Sequence, residues 1–440
     1  MELATTLGKI VGGESDHSYY YLGLPYAKAG RFEYATLVNS YGKSFNATKF
    51  GPACTQKRVY FEHLEVPERA FYHKEFREGI KFKYSEDCLN LNIYTPKGKQ
   101  KGGYPVIVFI HGGGFDSGAN SESAFDGDAF AEKGVITVFI QYRVGVFGYF
   151  THDEIQKKYG HDGNFGLDDQ VKALHWVHAH ISEFGGNANN VILMGQSAGA
   201  MSIQYLLYSE KAKGLFQKAI MMSGAGRWPK AGAPKEARLN HGYWLEVMKE
   251  CGCPDFDSFK NADPKTIFEA LEKVKARRKD NMQSTMPVYD HYYLAKPYAK
   301  LFYETPKIPM IVGFTNNDMF TVLLAYQTMH YAKLHNAYCY YFDVDAPGDA
   351  NKAFHSADLR YAFGTLDRSW RPYGEEDKAI SEQMMTYFAN FAKIGNPNSE
   401  GLPFWKKKAG MCLAFSKKGT KMKRPEKFTL LCNTFLGDPK

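Results

Sequence analysis

Seven short, nearly continuous apolar runs alternate along this chain with segments of helical period, and that alternation leaves few folds open. The runs are Leu89 to Tyr94, Val106 to Ile110, Val135 to Tyr142, Val191 to Met194, Ala219 to Met222, Pro309 to Phe314 and Ala337 to Phe342. A strand with one wet face alternates apolar and polar residues. A strand apolar throughout is buried on both faces, as in a parallel sheet covered by helices. The helical segments are Leu167 to Phe184, Ala198 to Tyr208, Lys235 to Glu250, Pro264 to Lys275 and Glu375 to Ile394. The pattern predicts an α/β fold, a large, mostly parallel twisted sheet with helices on both faces. Residues 227–306 carry helix pattern but little strand pattern and read as a helical cap inserted over one end of the sheet. No internal repeat or low-complexity linker interrupts residues 1–440, which predicts one domain.

Composition narrows the functional classes. With 440 residues, 44% of them hydrophobic, the chain is long and apolar enough to bury a large core, which excludes disorder. The net charge of +8 lies wholly in residues 405–440, which hold ten basic and two acidic side chains. The rest of the chain is neutral overall, unlike a nucleic-acid binder. The basic residues of that segment (Lys406 to Lys408, Lys417, Lys418, Lys421, Lys423, Arg424, Lys427) read as solvated cover for edge strands and turns. The most apolar stretch, Gly134 to Phe150, is broken by Gln141 and Arg143, so no membrane span is expected. The N-terminus has neither a basic start nor an apolar stretch, and the seven cysteines are an odd number. Together these predict reduced thiols and a cytoplasmic protein. Cys251 and Cys253 are too close for a Cys-x-x-Cys pair. His175 and His178 share a helix face but lack a carboxylate at a metal-site spacing, so no metal and no cofactor is expected.

The chemistry is carried by two glycine-rich turns. Gly195-Gln196-Ser197-Ala198-Gly199 is the one Gly-x-Ser-x-Gly of the chain and stands between an apolar strand and a helix-forming run. A sharp strand-to-helix turn strains the serine and exposes its Oγ, and flanking glycines let neighbouring backbone pass close. Upstream, His111-Gly112-Gly113-Gly114-Phe115 follows the strand Val106 to Ile110. Consecutive glycines there can aim their N–H groups at one point, where an oxyanion would sit. No Gly-Lys-Ser/Thr follows, which disfavours a nucleotide loop.

With these motifs the chain resembles the type-B carboxylesterase and cholinesterase family of α/β-hydrolases, as a short, bacterial-like member. The matching stretches are Gly23 to Ala27 with Arg31 and Phe32, Ser85 to Tyr94, Pro105 to Gly118, Gln141 to Gly145, Gly163 to Gln170, Phe184 to Gly186 and Gly195 to Gly199. The resemblance implies serine ester hydrolysis by a Ser-acid-His triad and an oxyanion hole from the N–H groups of Gly113, Gly114 and Ala198. It implies His355 as the base, in the stretch Phe354 to Gly364. Asp318 takes the place of the family's glutamate, in Val312 to Met319; Asp290 and Asp358 are rivals that do not follow a strand in this way. Asp is one methylene shorter than Glu, so the histidine must approach or the loop must shift.

The chain departs from the family pattern in other ways. Gln196 stands where many relatives have Glu, which removes a charge beside His355 and favours neutral or anionic esters over choline esters. The connection from Asp318 to His355 is short, which implies an open cleft. Gln196, Phe115, Gln283 and Tyr289 are candidate substrate contacts, and the segment Asn281 to Thr285, aligned with the acyl pocket of choline esterases, lacks bulky aromatics. The resemblance also implies a disulfide between Cys54 and Cys88. The expected partner is a small ester, with aryl or bulky acyl groups accepted. A non-catalytic binding protein is the alternative, against which the intact triad argues; an amidase or thioesterase would use the same residues.

Overall fold

The computed structural model describes residues 1–226, 234–278, 285–297, 303, 307–318 and 321–425. Its central sheet has eleven strands: β1 (Gly13–Glu14), β2 (Ser18–Pro25), β3 (Asn90–Pro96), β4 (Tyr104–Ile110), β5 (Ile136–Ile140), β6 (Gly186–Gln196), β7 (Lys218–Met222), β8 (Met310–Thr315), β9 (Tyr338–Phe342), β10 (Cys412–Phe415) and β11 (Lys421–Lys423). Their spatial order is β11-β10-β9-β8-β7-β6-β4-β5-β3-β2-β1. From β5 through β4 to β10 every neighbour is parallel, and antiparallel strands finish both edges. The chain winds outward from β4 in both directions, and β4 and β6 therefore open a crevice at their carboxyl ends.

The continuous apolar runs have the expected cause. Along β4, Val106, Val108 and Ile110 join one core while Ile107 and Phe109 join the other. The first core is closed by α2 (Phe165–His180), α3 (Ala198–Tyr208) and α7 (Thr321–Leu334), through Trp176, Ile203 and Leu324. The second is closed by α8 (Asp358–Phe363) and α9 (Glu375–Ile394), through Tyr361, Met384 and Phe388. Element boundaries differ from the sequence reading. The helix expected at Leu167 to Phe184 runs from Phe165 to His180, and a 3-10 turn, Ile181–Phe184, then ends on Gly185 at φ 86°. The helix expected from Lys235 starts only at His241, after a 3-10 turn over Ala237–Asn240. Strand β2 and helix α7 went unread.

Within residues 227–306 the described parts carry α4 (His241–Glu250), α5 (Phe256–Lys260) and α6 (Pro264–Arg278). Trp244, Val247, Phe259 and Phe268 from these helices bury in one cluster with Phe147 and Phe150. Residues 227–233, 279–284, 298–302 and 304–306 lie outside the described residues, and with them Gln283.

Cys54 and Cys88 are joined by a disulfide, correcting the expectation of reduced thiols throughout. The closed loop carries α1 (Pro67–Phe76) to the mouth of the crevice. Beneath it Arg143 makes a forked pair with Asp169 at 2.8 and 2.7 Å, both side chains buried, which ties the end of β5 to α2. This pair accounts for two of the family stretches, Gln141 to Gly145 and Gly163 to Gln170. At the far edge, Lys421 and Lys423 stand on the outermost strand β11, where charge discourages pairing with another chain. Residues 426–440, including Lys427 and Cys432, lie outside the described residues. Among the described residues no helix is long and apolar enough to cross a membrane.

Candidate active site

Ser197 sits between the last residue of β6, Gln196, and the first of α3, Ala198. Its backbone is strained, at φ 55° and ψ −123°, a region a non-glycine residue occupies only when its surroundings force it. The flanking glycines explain how. A Cβ on Gly199 would lie 1.9 Å from the carbonyl oxygen of Ile110, and one on Gly195 would lie 2.7 Å from the Gly199 carbonyl carbon. Only bare backbone lets β4, β6 and α3 converge this closely. The turn is pinned by the Ser197 N–H donating to Met222 O at 2.9 Å and by Met201 N–H donating to Ser197 O at 3.0 Å.

The loop after β8 brings Asp318 to His355. Nδ1 of His355 donates to Asp318 Oδ1 in a short contact, and both side chains are buried. Asp318 Oδ2 accepts from Ser223 Oγ at 2.5 Å and from the Thr315 N–H at 3.1 Å. The shorter acid is accommodated by loop approach: Asn317 pairs with Phe354 as an isolated β-bridge, and Asn317 N–H donates to Ala353 O at 2.8 Å. Tyr72 of α1 donates its hydroxyl to the His355 carbonyl at 3.2 Å. Burial alone would lower the pKa of His355. The charge and hydrogen bond of Asp318 outweigh it, with help from Asp358 and Glu68, and the net shift is upward.

On its other side, His355 Nε2 lies 3.2 Å from the Gln196 amide nitrogen. With Nδ1–H committed to Asp318, Nε2 of the neutral ring is an acceptor, and the amide donates to it. Among the described residues it is Gln196, not Ser197, that hydrogen-bonds to Nε2.

The glycine turn is built so that its N–H groups are free. Gly112 O accepts from His111 Nδ1 at 2.8 Å. Gly113 O accepts from Asp116 N–H and Ser117 N–H, both at 3.1 Å, and from Ser117 Oγ at 3.2 Å. In a trans peptide the N–H points opposite to the C=O, so the N–H groups of Gly113 and Gly114 are turned to the other side. Among the described residues none accepts from the N–H of Gly113 or Gly114. Ala198, first in α3, has no intrahelical acceptor for its N–H. His111 is buried and pushed down to about 4, hence neutral; Gln141 Nε2 lies 3.2 Å from its Nε2, and its ring stacks on Tyr142. A Cβ on Gly112 would lie 3.1 Å from the Ser197 Cβ, so turn and elbow touch. A cavity of about 280 Å³ lined by Arg58, Tyr72, Asp116 and Ser117 opens beside the turn.

The remaining candidates are placed elsewhere. Phe115, at φ 61°, turns its ring into the core against Tyr149 and Tyr205 and is 1% exposed. Tyr289 is half-buried, with its ring centroid 4.2 Å from that of His291. Asp290 Oδ1 accepts from the N–H groups of Tyr292, Tyr293 and Leu294, which makes it a turn residue. Asp358 accepts from Tyr340 Oη at 2.6 Å, and burial pushes its carboxyl up to about 6. His175 and His178 are exposed on α2, and among the described residues no three His, Cys, Asp or Glu gather as a metal cluster. The sequence reading missed Ser223 and Tyr72. Ser223 carried a faint signal, a serine-glycine pair after an apolar strand; Tyr72 carried none.

The comparisons with known proteins agree with this architecture. The profile of the carboxylesterase family matches residues 1–333 and 321–429. A para-nitrobenzyl esterase of Bacillus subtilis (strain 168) is 29% identical over 467 residues, covering 91% of this chain and 91% of that protein. Liver carboxylesterase 1 of Oryctolagus cuniculus is 29% identical over 500 residues, covering 91% and 86%. A solved structure of PNB esterase superposes with a TM-score of 0.83 at 27% identity, covering 97% of each chain. The chain therefore belongs to the carboxylesterase family, with the α/β-hydrolase fold, and is a carboxylic ester hydrolase.

Proposed function

We propose that the chain hydrolyses esters through an acyl-enzyme on Ser197, with His355 as base and Asp318 as the acid that orients it. Ser197 Oγ attacks the ester carbonyl and His355 Nε2 takes its proton. Asp318 holds the Nδ1–H tautomer and stabilises the imidazolium. The N–H groups of Gly113, Gly114 and Ala198 receive the oxyanion, and His355 then protonates the departing alcohol. Water activated by the same ring releases the acid. The observation that carries this reading is the Asp318–His355 contact beside a strained serine at a strand-to-helix turn. For His355 to reach Ser197, the Gln196 amide must give up Nε2.

The specificity is broad: neutral or anionic esters, with aryl or bulky acyl groups accepted. A relative named for para-nitrobenzyl esters supports the acceptance of an aromatic group. Gln196 provides no charge for a quaternary ammonium. The test is kcat/KM for phenyl acetate and a benzoate or cinnamate ester against acetylcholine. Preference for acetylcholine, or rejection of every acyl group larger than acetyl, contradicts the proposal.

A further inference from the structure

Two cysteines outside the site are brought together by strand register. β9 and β10 are parallel neighbours that pair Tyr340 with Leu413, Tyr341 with Ala414 and Phe342 with Phe415. One step back, Cys339 faces Cys412. The alternation of side chains agrees: Tyr340 and Leu413 enter one core, while Cys339, Tyr341, Cys412 and Ala414 enter the other. The two Sγ atoms are 3.0 Å apart. At this distance the Cys412 thiol donates to Cys339 Sγ, a hydrogen bond that holds the two sulfurs side by side. Paired strands are about 4.8 Å apart, within the range of roughly 4.4–6.8 Å that a disulfide spans between Cα atoms.

A route to the pair is also present. Cys412 is fully buried, whereas Cys339 retains 5% exposure and lines a cavity of about 180 Å³. The charged residues of that cavity are Lys333, Lys407 and Lys408, with no acidic side chain among its lining. The chain already carries one disulfide, Cys54–Cys88.

We propose that Cys339 and Cys412 form a second intrachain disulfide by exchange with an anionic low-molecular-weight disulfide admitted through the lysine-lined cavity. The Cys339 thiolate attacks one sulfur of the incoming disulfide, forming a mixed disulfide and releasing one thiolate. The Cys412 sulfur then displaces the second thiolate from Cys339, and the two cysteine protons end on the two released thiols. The protein pair is oxidised by two electrons and the small disulfide is reduced by two. Cys339 reacts first because it lines the cavity while Cys412 lies fully buried behind it, where burial pushes its thiol up.

The experiment uses the full chain, reduced and then exposed to oxidised glutathione at neutral pH, alkylated in denaturant and peptide-mapped. The expected product is a cross-linked peptide pair joining Cys339 to Cys412. Quantitative alkylation of both cysteines after prolonged exposure overturns the proposal. Cys412→Ser should stop at one glutathione on Cys339; oxidation in the wild type without this trapped adduct overturns the route. Lys407→Glu with Lys408→Glu, both exposed, should slow oxidation by glutathione disulfide about tenfold. Neutral hydroxyethyl disulfide should be unaffected, and equal slowing of the two probes overturns the role given to the cavity.

Discussion

The Gln196 amide nitrogen stands 3.2 Å from Nε2 of His355, at the position from which the ring must serve Ser197. A neutral amide there leaves the upward shift of His355 to the carboxylates behind it, first Asp318 and then Asp358 and Glu68. It can also turn its oxygen to an imidazolium, so it is compatible with both forms of the ring.

Gln196→Glu places a negative charge at Nε2 and favours the imidazolium. The base must be neutral to act, so the acid limb of kcat/KM against pH moves to higher pH. Activity at pH 6 should fall about tenfold relative to the alkaline plateau, while the fold is unchanged. An unmoved limb would separate Gln196 from His355 titration.

Asp318→Asn should reduce kcat by about 10³–10⁴ with little change in KM, because the neutral amide no longer fixes the Nδ1–H tautomer. Ser223→Ala removes one bond to Asp318 and should cost about tenfold in kcat. Asp290→Asn and Asp358→Asn should cost far less. A crippled Asp290→Asn would place the acid wrongly.

The elbow predicts an asymmetry among glycines. Gly199→Ala puts a Cβ 1.9 Å from Ile110 O and should destabilise by about 3 kcal/mol or more. Gly114→Ala meets nothing within 4 Å and costs only the strain of φ 64°, about 1–2 kcal/mol. Thermal unfolding measures both; equal Tm losses would contradict the packing argument.

What the sequence disclosed follows from burial. Strands β4 to β9 were legible because helices cover both faces, which makes their residues apolar without alternation. Strand β2, Ser18–Pro25, was not, because it lies near an edge and its tyrosines read equally as a loop. Ser197 and the Gly113–Gly114 turn were legible because backbone constraints dictate glycine at neighbouring positions. Asp318 and His355 were legible only through the family resemblance, which ties the acid to the strand that is β8 here. The contact of Gln196 with His355, the Ser223 bond to Asp318 and the inward turn of Phe115 depend on side-chain directions, which residue order does not specify. The disulfide was visible only through family resemblance; cysteine counting pointed the other way.

Covalent catalysis by Ser197 is checked by Ser197→Ala, assayed with a p-nitrophenyl ester and probed with a fluorophosphonate. The variant should be folded, with essentially no turnover and no label, against one label per chain in the wild type. Turnover near wild type, or labelling at another residue, would contradict it.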